Sequence, residues 1–373
     1  MKVSFSSTQK FLQCPKMYEY HYINKIRPTW TSSALLFGDA LDKALNELVL
    51  KTEKDPYDTF LKSWTNGFVN KEAIYIPTST KLLYANKDYE SSLLTPDDYK
   101  EIAERVASGE VKDLNFQDLV AKKKDKGWDR FSNDEKAYFN LHNWYCMRNK
   151  AKYIIDGYKI KVLPLIKKVH AVQKEIKADN GHGDEFTGFI DLIAELEGHG
   201  NVIIDHKTSA RDYEWDSPSK SAQLATYVHM EGENYNTRKA GFIVLKKNLK
   251  YNRVRVCKEC GHTGKGSHKT CDNTIDTAMT GPGTGKAHRC NGEWTETTSP
   301  EAEFQVLVQE MPEQFEHMTI DNIDTVTKAI GTGVFPKNTD RCNDHFGSPC
   351  PYLKLCLSGG KNMIGLCKTE ESK

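Results

Sequence analysis

Gly188-Phe189-Ile190-Asp191, then Ile203-Ile204-Asp205-His206-Lys207-Thr208, then Gln223-x3-Tyr227 run in order through the middle of the chain. The apolar residues ahead of each aspartate predict two strands, 186–196 and 202–205, joined by a turn around Glu197–Asn201. If those strands pair, the two carboxylates converge. Alternation along a strand sends Asp205 and Lys207 to one face and His206 to the other, where only its main-chain carbonyl still reaches a metal. Such a set suits phosphodiester hydrolysis. A divalent ion generates hydroxide and neutralises the charge that develops on phosphorus. Hard Mg2+ or Mn2+ takes oxygen ligands such as Asp191 and Asp205. A lysine beside the scissile phosphate stabilises charge or orients the water. Asp-x-Lys alone is equally a pair of surface charges; the ordered set is what carries the inference.

Working outward, residues 1–170 read as mostly helical. Ser6-Ser7-Thr8 predicts a cap for a helix through Phe11, Leu12 and Met17. Phe37, Leu41, Leu45 and Leu48 give helical spacing over 34–51. Thr95-Pro96-Asp97-Asp98 and Ser132-Asn133-Asp134-Glu135 each open a further helix. Residues 73–94 give no clear pattern. From 171 the period changes to that of strands, at 171–176, 186–196, 202–205 and 241–245, with Asn180-Gly181-His182-Gly183-Asp184 as a turn. Ser217-Pro218-Ser219 precedes a helix carrying Gln223, Leu224 and Tyr227. Helices are expected at 300–317 and 320–330.

With 52 basic and 51 acidic residues the net charge is +1, so global charge gives no sign of a nucleic-acid partner. Two local runs contact phosphates or are simply solvated: Lys122-Lys123-Lys124 with Lys126, Trp128 and Arg130, and Lys246, Lys247, Lys250, Arg253 and Arg255. No stretch has the roughly 18 apolar residues of a spanning helix, and the first residues lack the apolar run of an export signal. The expectation is a cytoplasmic protein with no membrane partner. In that reducing setting, ten cysteines point to metal ligation more than to disulfides. Eight fall into two groups, leaving Cys146 and Cys367 as incidental thiols. Cys257-x2-Cys260 is a zinc half-site, with Cys271 and Cys290 as the best second pair and His262, His268 and His288 as substitutes. The Gly-rich excursion around it has little else to order it.

The ordered acid–lysine set resembles the PD-(D/E)xK nuclease superfamily, and within it the RecB-type branch of CRISPR-associated and phage iron–sulfur exonucleases. The resemblance implies that Asp191 and Asp205 bind the catalytic metal, that Lys207 is the catalytic lysine, and that Gln223 and Tyr227 approach the DNA and the active site. Glu175 falls where the branch often carries a supporting acid. Where the branch has Gly-x3-His on an early helix, this chain has Gly38-x3-Asp42. Asp42 is thus either a further ligand or a surface acid beside Lys43. The same branch holds a 4Fe–4S cluster on one early and three late cysteines, which implies Cys14, Cys342, Cys350 and Cys356 here. Seven residues separate Cys342 from Cys350 where a two-residue gap is usual. Four thiolates suit tetrahedral Zn2+ as well.

The reading is an α/β protein. A restriction-endonuclease-like mixed-sheet core occupies 171–255. A large helical region covers 1–170 with the first cluster cysteine, a zinc-ribbon-like module is inserted at 256–292, and helices with the late cysteines fill 293–373. The expected function is a metal-dependent DNA exonuclease acting on ends or single strands in recombination, replication or repair, in a bacterial or phage-infected cell and alongside other recombination or replication proteins. The alternatives are a structure-specific endonuclease and a DNA-binding or partner-recruiting protein with a weakened centre.

Overall fold

The β-branched runs at the centre of the chain pair into a sheet, as their composition favours. In the computed structural model the described residues are 2–28, 33–64, 94–119, 121, 131–179, 185–264, 269–271, 273–275, 288–342 and 350–369. The turn at 180–184, the segment 73–93, the basic run Lys122–Arg130, His268 and the side chains of Arg253 and His288 lie outside them. Two compact units divide the chain. One is Met1–Lys247 with Phe304–Lys373, and the other is Asn248–Glu303.

In the larger unit, β1 (Lys2–Val3), β3 (Ile166–Asp179), β4 (Glu185–Leu196), β5 (Gly200–Ser209), β6 (Lys239–Lys246) and β12 (Phe304–Glu310) form a mixed sheet. β4 runs antiparallel to β3 and β5, β5 runs parallel to β6, and β12 closes the edge antiparallel to β6. The parallel β5–β6 step is bridged by α7 (Ala222–Glu231), as such a crossover requires. Leu224, Ala225 and Val228 of α7 pack on Ile190, Ile203 and Val244 of the sheet. α3 (Ser33–Leu50) also packs against β3 and β5. A separate apolar cluster joins α5 (Pro96–Ala107) to the first half of α6 (Asn133–Lys161) through Ile102, Phe139 and Leu141.

Two helix expectations change. The first helix, α1 (Phe5–Gln13), is capped by Ser4, whose hydroxyl accepts from the Ser7 N–H while the Ser7 hydroxyl accepts from the Ser4 N–H. It stops at Cys14, which is extended (φ −162°, ψ 110°), because the proline that follows disfavours helical backbone there. Pro15 then opens the short α2 (Pro15–Tyr18), so Cys14 sits in the break. The second change is at 300–317. Phe304–Glu310 alternates and is β-rich, and it takes the free edge of β6; the helix α8 begins only at Glu313 and continues unbroken to Gly331.

The smaller unit is built on β7 (Lys250–Cys257) paired antiparallel with β11 (Trp294–Glu301). Short strands β8 (Thr263–Gly264), β9 (Thr274–Ile275) and β10 (His288–Arg289) lie between them. The strands leading in and out pair with each other, so this unit is wider than the expected 256–292. In the basic run across this boundary, Lys246 and Lys247 are buried rather than solvated, with Lys246 paired to Asp212.

A Cβ on Gly241 would meet the Leu307 carbonyl oxygen at 2.7 Å, so β6 and β12 approach at a distance only glycine allows. Gly241→Ala is therefore expected to lower stability by about 1–3 kcal/mol, the usual cost of overpacking. A lower urea midpoint at unchanged slope is the readout; an unchanged midpoint would contradict the edge pairing of β12.

Candidate active site

The β4–β5 register, with Leu192 opposite Ile204, brings Asp191 and Asp205 to the end of their shared ladder. Asp191 Oδ2 accepts the His206 main-chain N–H at 2.8 Å. Asp42 of α3 and the His206 imidazole complete a trio with Asp191, with one donor atom from each within 4.8 Å of the others. Asp42 Oδ1 and His206 Nδ1 are buried, 3.6 Å apart, and neither has a hydrogen-bond partner among the described residues. Asp42 thus faces the site, not the surface beside Lys43, which pairs with Asp39. His206 differs from the expectation as well. Its side chain does turn away from Asp205, as alternation dictates, but the face it turns to is the one α3 covers with Asp42.

Asp205 lies outside that trio and belongs to a second network. The Lys207 ammonium is 2.7 Å from Asp205 Oδ2 and donates to Gln223 Oε1 at 2.9 Å. Gln223 Nε2 donates to Asp205 Oδ1 at 2.8 Å and to the Tyr227 hydroxyl at 2.9 Å. Gln223 and Tyr227 share a helix face because they are four residues apart on α7, whose first turn is capped by Ser221. Lys207 stays 30% exposed while Asp205 is 5% exposed, so the ammonium is held by a buried carboxylate but open to a ligand.

Two residues that contact the trio were missed by sequence reasoning. Gln173 donates to Asp42 Oδ2 at 2.8 Å and reaches Asp191 Oδ1 at 3.4 Å. It has φ 49° and lies in β3, two positions before Glu175, the acid expected to help. Glu175 is exposed and pairs with Lys177. Tyr158 of α6, fully buried, has its hydroxyl 3.0 Å from His206 Nε2. Gln173 had a weak signal, as the one amide in its strand. Tyr158 had none, being one aromatic among many on its helix.

The charges here are under strain. Burial first, and then the charges of Asp205 and Asp42, together push the Asp191 carboxyl up to about 7 against the opposing effect of His206. Burial also raises Asp205, against Lys207. Orphaned donor atoms facing one another among crowded carboxylates fit a hard divalent cation, which would satisfy the former and relieve the latter.

The cysteines form two groups. In the smaller unit Cys257 and Cys290 have their sulfurs 3.5 Å apart, Cys260 and Cys271 3.7 Å, and all four lie within 4.8 Å of one another. Tetrahedral zinc with Zn–S of about 2.3 Å needs sulfurs about 3.8 Å apart. Main-chain N–H groups two residues on donate to Cys260 (from His262), Cys271 (from Asn273) and Cys290 (from Gly292). Such donors favour thiolate, and Cys260 is drawn down to about 6, led by the His262 N–H. A Cβ on Gly292 would meet Cys257 Sγ at 2.6 Å, so glycine is needed for the sulfurs to close. His262 is half-buried beside Trp294 and is not among the four clustered ligands.

In the larger unit Cys14, Cys342, Cys350 and Cys356 line one cavity of about 280 Å3. The Cys350 N–H donates to the Cys342 carbonyl at 2.7 Å, which brings Cys342 in despite its spacing. Burial raises the Cys350 thiol, the Tyr352 N–H opposes, and charge on the other three cysteines adds to the rise. Cys146 is buried in its helix and Cys367 is exposed.

A profile of the PD-(D/E)XK nuclease superfamily matches residues 2–357. The chain belongs to the PD-(D/E)XK nuclease superfamily. Members of this superfamily are phosphodiester hydrolases that use Mg2+ or Mn2+, and the family implies a DNA substrate. The mixed α/β architecture is consistent with its fold. No curated protein sequence matches the chain. Among the described residues no helix is long and apolar enough to cross a membrane.

The Asp191 shift has a measurable consequence. A carboxyl raised from 3.8 to about 7 keeps a proton in the folded chain that the unfolded chain has released. Between those values stability falls as pH rises. In chelator the melting temperature is expected to drop from pH 5 to pH 8, and Mn2+ should reverse the drop most strongly at pH 8. Asp191→Asn should remove both responses; a melting temperature as pH-dependent and Mn2+-responsive in that variant as in the parent would contradict the assignment.

Proposed function

We propose that the chain is a metal-dependent DNA exonuclease working at DNA ends or on single strands. The observation that carries the nuclease reading is the cation-sized gap between Asp42 Oδ1, His206 Nδ1 and Asp191, beside the strand β5 that carries both His206 and Lys207. Asp191 and Asp42 would hold Mg2+ or Mn2+, with Asp205 as the further ligand that the resemblance assigns. When bound, that ion supplies hydroxide at neutral pH and offsets charge on the phosphate. Lys207 stabilises the developing charge, Asp205 and Gln223 fix its ammonium, and Tyr227 fixes Gln223.

End or single-strand action rests on the resemblance to RecB-type exonucleases and on Phe189. This ring is 54% exposed, two residues before Asp191 and so on the same strand face, where it offers an unpaired base a stacking surface. The setting that fits is DNA recombination, replication or repair in a bacterial or phage-infected cell, together with other proteins of those processes. The Cys257, Cys260, Cys271 and Cys290 quartet fits structural Zn2+, on sulfur spacing and N–H donors. The wider Cys14, Cys342, Cys350 and Cys356 group fits a 4Fe–4S cluster that ties the first helices to the C-terminal segment.

With Mn2+, the protein is expected to degrade linear DNA and spare closed circles, and Lys207→Ala should lower the rate about 100-fold or more while its circular dichroism shows the fold retained. Cleaved circles would favour the endonuclease. Binding without any chelator-sensitive cleavage would favour a recruiting protein with a weakened centre. Anaerobic preparations are expected to be brown, with about four iron and four sulfide per chain and about one zinc. Colourless protein holding zinc alone would remove the iron–sulfur assignment.

A further inference from the structure

His206 is 3% exposed, yet its Nδ1 touches nothing that completes a hydrogen bond. A neutral imidazole carries one N–H and one lone pair, so the partner of Nε2 decides what Nδ1 offers. That partner is the Tyr158 hydroxyl at 3.0 Å. If Tyr158 donates to Nε2, the hydrogen sits on Nδ1 and points at Asp42 Oδ1 from 3.6 Å, beyond hydrogen-bond reach, and two buried groups are wasted. If Nε2–H donates to Tyr158, the Nδ1 lone pair faces the Asp42 lone pair across the same gap, with an Asp191 oxygen as third neighbour. Lone pairs facing each other repel unless a cation lies between them. Adjacent ligands of an ion at about 2.1 Å are about 3.0–3.5 Å apart, within a few tenths of an ångström of this separation. Gln173 donates to the other Asp42 oxygen and leaves Oδ1 turned to the gap.

We infer that the His206 imidazole is itself a metal ligand through Nδ1, that Tyr158 is the positioning residue holding it in the Nε2–H form, and that the resulting nitrogen-containing donor set makes the site select Mn2+ over Mg2+. The inference deepens the nuclease reading and rests on it. Carboxylates alone suit Mg2+ and Mn2+ alike, whereas an imidazole nitrogen favours ions further along the transition series. A second residue that fixes the tautomer of a ligating histidine typically governs metal affinity about 10- to 100-fold.

The test uses the full chain loaded with one equivalent of Mn2+ and electron spin-echo modulation, which detects 14N bound to the ion. The parent is expected to show 14N modulation, lost in His206→Gln. Calorimetric titration should show tighter binding of Mn2+ than of Mg2+, with the ratio reduced about 10-fold or more in His206→Gln, and Mn2+ affinity about 10-fold lower in Tyr158→Phe. Nuclease activity in the parent with bound Mn2+ but no 14N modulation would overturn this inference and leave the nuclease reading standing. Modulation that persists in His206→Gln would overturn it too, since another nitrogen would be responsible. Failure of the parent to bind Mn2+ at all would overturn both.

Discussion

Asp42, Asp191 and Asp205 bring three carboxylates into a largely buried part of the larger unit, and among the described residues Lys207, His206 and a few N–H groups stand against them. Much of the surrounding architecture serves to hold that charge together. The β4–β5 pairing sets Asp191 beside Asp205. The N–H of His206 is given to Asp191 rather than to a neighbouring strand. α3 carries Asp42 onto β5, and α7 carries Gln223 and Tyr227 across the other network. Buried like charges persist only when something compensates them. Asp205 has the Lys207 ammonium beside it although its Oδ2 completes no hydrogen bond, whereas Asp42 Oδ1 and His206 Nδ1 face each other beside Asp191 with no side-chain cation between them, which is the reason for proposing the metal there.

The two networks divide the chemistry between them. Alternation along β5 is what separates them, since His206 and Lys207 must leave the strand on opposite sides. One side holds the orphaned donors proposed to face a cation, and the other holds a partly exposed ammonium fixed by Asp205 and Gln223. The two cysteine groups differ in the same physical terms. In the smaller unit four sulfurs have closed to the spacing of a single ion, helped by Gly292 and by N–H donors. At the chain ends four cysteines surround a larger space. Protein contacts also join the segments around that space: β13 (Leu366–Lys368) pairs with β2 (Ile26–Pro28), Tyr352 donates to the Ile26 carbonyl, and Asn338 donates to the Gln13 carbonyl.

Much of this was legible in the sequence where periodicity was strong. The strands around Asp191 and Asp205, the capped helices beginning after Thr95 and Ser132, and the i, i+4 pair Gln223 and Tyr227 all follow from spacing and turn residues. Residues 304–310 were misread because a short apolar run fits either period, and the free edge of β6 decided it. Cys342 looked out of place because a seven-residue gap says nothing of its carbonyl accepting the Cys350 N–H. Gln173, Tyr158 and the orientation of His206 were not legible at all. Each depends on which element packs against the strand, which is a tertiary fact.

The central claim is that a divalent ion sits among Asp42, Asp191 and His206, next to the Lys207 network. Anomalous diffraction from a crystal of the protein grown with Mn2+, recorded at the manganese edge, tests it most directly. The account predicts one strong peak within bonding distance of Asp191 and Asp42. A fully occupied manganese peak elsewhere, with the Asp42–His206 gap unfilled, would contradict it.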